Sequence, residues 1–269
     1  MKKLISILLI LIIIIAFGCD QVDVSNPNLT YKEDIVVRAE LKADNAFEGV
    51  TFTKTLPANE AYDIQKAELK DVIAYLKING TQVIPLHYTQ NGIYLPLQRY
   101  VIQPGYTYEL YAEENGNYIY SKTTVPQKPF IQSALLTNNG YINTIVTSHT
   151  KTAYGAVWVV LNPGSSFELD NASDFQTIVL GKQDTTLNLS VRTIDLPEKY
   201  KSINYQNSLY ARVYSFDPQY AAYFNTRNSD QPVSNPFVQG GDQVFWNVYG
   251  NNVIGLFMGM NMTGNIKVQ

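Results

Sequence analysis

Ile102-Gln103-Pro104-Gly105-Tyr106-Thr107-Tyr108 is the stretch whose reading decides the fold. An apolar residue leads into Pro-Gly, and a tyrosine follows three residues after the glycine. Pro104 presets the backbone of a turn and Gly105 tolerates what the turn asks of it, so the chain passes here from one strand to the next. Tyr108 is then placed to return its hydroxyl to a backbone group across the corner, the tyrosine-corner pattern of Greek-key sandwiches. The flanking text agrees. Residues 106–112 and 118–125 read as two strands joined by a turn at Glu113-Glu114-Asn115-Gly116-Asn117.

Upstream, Val37, Ala39 and Leu41 alternate with Val36, Arg38 and Glu40, the period-two signature of a half-buried strand. Residues 67–78 fit two templates: Leu69, Val72, Ile73 and Leu76 line a helical face, and Val72, Ala74, Leu76 and Ile78 line a strand face. Asn79-Gly80 follows directly, then Val83, Ile84 and Leu86. Asn-Gly between apolar runs is a hairpin signal, which favours strand. Asn91-Gly92 supplies another turn, and Pro126 and Pro129 bracket a linker. Residues 34–126 therefore read as one immunoglobulin-like or fibronectin-like sandwich.

Residues 127–269 read as a second β-rich domain. Strand text rich in Val, Ile, Thr and Tyr covers 141–149, 154–161, 185–192 and 208–216, with a polar loop over 162–174. A short helix is expected over 217–224, with Asp217 as cap and Pro218 in the first turn. The expected fold class is all-β, two β-sandwich-like domains, the first carrying the Greek-key tyrosine corner.

At the other end, Lys2-Lys3 precedes an apolar run, Leu4 to Phe17, too short to span a bilayer and suited to a signal peptide. The run closes on Ala16-Phe17-Gly18-Cys19, which resembles a bacterial lipobox. Cys19 is the only cysteine of the 269 residues, and it stands where lipidation needs it. Residues 1–18 are read as the leader and 19–33 as a lipidated tether, with diacylglycerol and an N-acyl chain on Cys19. Each buried CH₂ of those chains contributes about 0.8 kcal/mol, so they anchor the protein to a membrane it does not span. No thiol then remains for disulfides, metal or nucleophilic catalysis. A formal net charge of −3 with only 16% charged residues argues against a nucleic-acid partner.

Several segments in order carry a family resemblance: Tyr75-Leu76-Lys77-Ile78-Asn79-Gly80, Asn91-Gly92-Ile93-Tyr94, Gln103-Pro104-Gly105-Tyr106-Thr107-Tyr108-Glu109-Leu110, Thr123-Thr124-Val125-Pro126, Tyr214-Ser215-Phe216-Asp217-Pro218-Gln219-Tyr220 and Asn252-Val253-Ile254-Gly255-Leu256-Phe257. Together with the leader they resemble the Bacteroidota lipoproteins grouped as domain of unknown function 4249. That resemblance implies an outer-membrane lipoprotein that accompanies a TonB-dependent transporter or a surface assembly. It brings no site residues with it.

The residues themselves single out few candidates for chemistry. Glu168, Asp170 and Asp174 share one polar loop, where three carboxylates with Asn and carbonyl oxygens could hold calcium. His87 and His149 are the only histidines and lack metal-ligand spacing. No nucleophile elbow or phosphate-cradling glycine loop is present. Tyr220, Tyr223 and Trp246 are candidate aromatic contacts for a glycan or a protein partner. Trp158, in Val157-Trp158-Val159-Val160, reads as core. Asp184-Thr185-Thr186 resembles the O-glycosylation acceptor of Bacteroidota, with the sugar on Thr185. The expected function is a non-enzymatic accessory or binding lipoprotein of the outer membrane; the alternative is a glycan-binding or adhesive sandwich.

Overall fold

The structure, a computed structural model, describes residues 31–57, 59–181, 188–227 and 244–269. Residues 1–30, which hold the expected leader, Cys19 and most of the expected tether, and Thr185 lie outside the described residues. Residues Glu33–Gln269 form one compact unit, and its architecture is all-β and sandwich-like.

The first part of the chain supplies β1 (Ile35–Lys42), β2 (Val50–Lys54), a single helical turn α1 (Ile64–Ala67), β3 (Ile73–Ile78), β4 (Gln82–Gln90), β5 (Ile93–Leu95), β6 (Thr107–Glu114) and β7 (Asn117–Thr124). The alternation read in the sequence is the alternation of burial: Val37, Ala39 and Leu41 of β1 face inward. The hairpin β3–β4 turns on Asn79 and Gly80, both at positive φ (47° and 72°), the geometry that matches the twist of the strands it joins. β4 pairs with β3 through Gln82 to Leu86 and with β5 beyond His87, so it passes from one layer to the other. Phe52, Leu41 and Phe257 from one layer meet Leu76, Leu110 and Ile119 from the other in a shared core.

Tyr108 lies at the base of this core with no exposure. Its hydroxyl accepts the backbone N–H of Gln103 at 2.8 Å and faces the Tyr100 hydroxyl at 3.3 Å. Burial raises the phenol's pKa far above its ordinary value, so it remains a neutral hydrogen-bonding group.

The strand expected from residue 67 starts later. Asp63 caps α1 by accepting the Gln65 N–H at 2.9 Å. Tyr94 then keeps Leu69 to Val72 from pairing with β6: its hydroxyl accepts the Val72 N–H at 3.0 Å and donates to the Leu69 carbonyl at 2.9 Å. Backbone groups tied to a side chain cannot join a ladder, so apart from an isolated bridge between Glu68 and Thr53 of β2, pairing with β6 begins only at Ile73.

The rest of the chain supplies β8 (Ile131–Leu136), β9 (Ile142–Thr147), β10 (Ala153–Leu161), β11 (Glu168–Asn171), β12 (Val179–Leu180), β13 (Asn188–Arg192), two 3₁₀ segments (Glu198–Tyr200 and Ile203–Ser208), β14 (Leu209–Phe216), a helix α2 (Gln219–Thr226), β15 (Val248–Tyr249), β16 (Val253–Met262) and β17 (Ile266–Lys267). β8, β9 and β13 form a three-stranded sheet, and Val146, Leu189 and Val191 from it pack on Tyr154, Ala156 and Val213 of β10 and β14. The opposite face of β10, β14 and β16 is covered by α2, through Phe216, Tyr220, Ala221, Met258 and Met260. From β10 only Ala153 packs in this cluster, and its Val157 to Leu161 are buried with Ala172, Leu196, Tyr200 and Leu209, so the strand is buried at every position.

Three sequence expectations change here. The polar loop 162–174 contains the short strand β11, paired with β10. The helix expected over 217–224 runs Gln219–Thr226. Pro218 precedes its first residue, and Asp217 just before it accepts the N–H of Gln219 at 3.0 Å while also accepting that of Thr124 at 2.8 Å, so the carboxylate ties the helix start to β7. Finally, the terminal strands, read as part of the second domain, return to the first sandwich. β16 lies parallel to β1, with Ile35 opposite Val253 and Lys42 opposite Met260, and β15 adds to β7. Gly255 allows this approach: its φ is +149°, and a Cβ there would come within 2.0 Å of the Val37 carbonyl oxygen.

Candidate functional site

Two aromatic surfaces arise from this fold. The first is the outer face of the layer β4–β3–β6–β7–β15. Inward positions on these strands are Ala74, Leu76, Ile78, Leu110, Ala112 and Ile119, so alternation turns their neighbours outward. Register then aligns Pro85, Tyr75, Tyr111, Tyr120 and Tyr249 in one row across five strands. With strands about 4.8 Å apart, the row is about 19 Å long.

The ring geometry decides what this row offers. Tyr75 and Tyr111 are 5.1 Å apart and only 10° from parallel, and Tyr111 and Tyr120 are again 5.1 Å apart, tilted by 59°. Near-parallel rings that close overlap face on face, so the Tyr75–Tyr111 pair stands upright and presents edges and hydroxyls to solvent. Beside the row, Ile73 and Tyr118 are 70% and 74% exposed, on either side of Glu113 in register. On the other side Lys77, Glu109 and Lys122 form a charged row, with Lys122 and Glu109 3.4 Å apart. An apolar and aromatic strip with a charged margin has the composition of an interface core and its rim.

The second surface is a groove of about 510 Å³ over the outward face of β1 and β16. It gathers two of the three aromatic candidates. Tyr223 and Trp246 are in ring contact at 5.6 Å and both line the groove. Tyr220, also on α2, lies against Tyr223 at 5.8 Å with the rings tilted by 34°, but it is 8% exposed and packs into the core. Burial pushes its phenol up to about 12. Tyr220 therefore supports the groove without lining it.

Trp246 is held from both sides. The preceding N–H, of Phe245, donates to the Thr226 hydroxyl at 2.8 Å, at the end of α2. The following residue, Asn247, is 1% exposed and exchanges two hydrogen bonds with the Phe257 backbone, at 2.7 Å and 2.9 Å. Its carbonyl also accepts the Ser121 hydroxyl at 2.6 Å. Across the groove, β1 contributes the exposed side chains of Arg38 and Glu40.

The proposed calcium ligands are not brought together. Glu168 pairs with Arg212 at 2.8 Å; Asp170 accepts from the Tyr200 hydroxyl at 2.7 Å and Lys199 at 3.2 Å; Asp174 pairs with Arg227. Each carboxylate has its own cation, and all three titrate below their ordinary values. For Glu168 and Asp174 burial opposes this and the arginine contacts outweigh it; for Asp170 the Tyr200 hydroxyl is the main cause. Among the described residues no group of three His, Cys, Asp or Glu side chains is placed to hold a metal. Among the described residues, too, no helix is long and apolar enough to cross a membrane. Trp158 is in the core of the second half, against Tyr200.

The tyrosine row escaped the sequence reading. Its signal was an outward tyrosine on successive strands whose inward neighbours are apolar, but alignment across strands depends on register, which the turns alone do not reveal for β6 against β3. No family model matches the chain, and no curated protein matches it.

Proposed function

We propose that this chain is a non-enzymatic lipoprotein of the outer membrane that works as an accessory or binding subunit beside a membrane protein such as a TonB-dependent transporter. The leader and Cys19 support the anchoring, and the tyrosine-lined face of the first sandwich carries the binding role. That face is broad, aromatic and charge-rimmed. Its Tyr75 and Tyr111 rings cover each other's flat sides, which favours a protein surface over a sugar as the occupant.

The test is site-specific photo-crosslinking in native membranes. A photoreactive phenylalanine analogue replaces Tyr118 in one variant and Tyr62 in another; Tyr62 is 70% exposed and lies outside the tyrosine face. The reading expects the Tyr118 probe to capture an outer-membrane barrel in defined stoichiometry and the Tyr62 probe to capture none. Equal capture from both positions, or none from either, refutes docking by this face. A Cys19→Ala form that stays with the membrane refutes the lipid anchor.

A further inference from the structure

We infer that the groove between α2 and β1 is a binding site for a neutral saccharide, with Trp246 and Tyr223 as its stacking wall and Arg38 and Glu40 as its hydrogen-bonding wall. A pyranose has an apolar C–H face and a girdle of hydroxyls, and it needs an aromatic surface and planar polar groups on facing sides. The groove supplies both. Trp246 and Tyr223 contact each other at 38° between planes and are half-buried, so their rings are held while part of each remains open.

Arg38 and Glu40 project from the same face of β1, two residues apart, and both are exposed. Among the described residues Arg38 has no hydrogen bond or ion pair, and its exposed guanidinium lines the groove as a donor group. Glu40 lies 3.5 Å from Lys42 and offers acceptor oxygens. Opposite charges side by side leave little net charge to select an ion, whereas a neutral, hydroxyl-rich molecule can use the donors of one and the acceptors of the other. Val36 and Leu256 give the floor its apolar character, and a volume of about 510 Å³ is that of a small-molecule site.

The site is also prebuilt. The bonds from Thr226 to Phe245 and from Asn247 to Phe257 fix the chain on both sides of Trp246. Little ordering is then required when a ligand arrives. This inference does not rest on the docking face, which occupies other strands.

The experiment is a titration of the lipidated full chain in detergent with maltohexaose, cellohexaose, laminarihexaose, mannohexaose and chitohexaose. Binding is read by tryptophan fluorescence and by calorimetry. At least one probe is expected to give a saturable change with a Kd of about 1 mM or tighter. Arg38→Ala, at an exposed position, should weaken it about tenfold, and Trp246→Ala should abolish it. Tyr118→Ser, on the docking face, should leave it unchanged, so the two proposals fail separately. Silence from all five probes overturns the inference, as does binding that survives both Arg38→Ala and Trp246→Ala in folded protein.

Discussion

Replacing Tyr108 by Phe removes one oxygen and leaves the ring in place. The ring is fully buried in the first core, so its packing against neighbouring strands is retained. What is lost is the acceptor for the Gln103 N–H, at 2.8 Å, and the partner of the Tyr100 hydroxyl, at 3.3 Å. A donor left without a partner in a half-buried corner costs about 1–3 kcal/mol. At a central value near 2 kcal/mol, a chain of this size should melt about 4–8 °C lower. Urea unfolding should give a lower midpoint at an unchanged m-value, and amide exchange at Gln103 should accelerate. Tyr106→Phe, two residues away and 41% exposed, is the matched control and should have no effect. A Tyr108→Phe protein within about 0.5 kcal/mol of the parent would refute the assigned role of this corner, because such a change is what an ordinary surface substitution produces.

Three further outcomes are expected. Asn247→Ala strips two hydrogen bonds from the Phe257 backbone and should cost about 2–4 kcal/mol by denaturant unfolding; a loss below 1 kcal/mol would mean that water replaces the side chain. Gly255→Ala places a Cβ against the Val37 carbonyl and should cost more than about 4 kcal/mol, seen as loss of protease resistance, whereas an unchanged melting temperature would contradict the β1–β16 register. The carboxyls of Glu168, Asp170 and Asp174 titrate below their ordinary values in the folded chain. They therefore stabilise above the unfolded pKa of about 4 and lose that contribution as pH falls through the folded values. Melting temperature should hold from neutral pH to about 5 and then fall, and Glu168→Gln should lower it at neutral pH while shrinking the acid-induced drop. An acid-induced drop of full size in that variant would rule out the Arg212 pair as its source.

Local chemistry explains what the sequence revealed. The strand over Ile35–Lys42, the Asn79-Gly80 turn and the Tyr108 corner depend on neighbours within a few residues, and each was legible. The start of β3 was not, because Tyr94, more than twenty residues downstream, determines which backbone groups are free to pair. The three carboxylates named as calcium ligands stand apart for a related reason. Glu168, Asp170 and Asp174 are close in sequence, but Arg212, Lys199 and Arg227, which take them one by one, come from elsewhere in the chain. Tyr223 and Trp246 were found by residue type, whereas Arg38, which completes their groove, belongs to a strand that reaches them only through the parallel pairing of β1 with β16.

That pairing also bears on when the molecule becomes whole. Ile35 takes its hydrogen-bonding neighbour from the region of Val253, across almost the full described length. Contacts of such sequence separation carry a large loop-closure cost and slow the folding of β proteins. The first sandwich cannot complete its sheet until β16, more than two hundred residues downstream, is available to pair with β1. Because β16 also pairs with β14, its arrival closes the sheet of the first sandwich and ties it to the second half in one event.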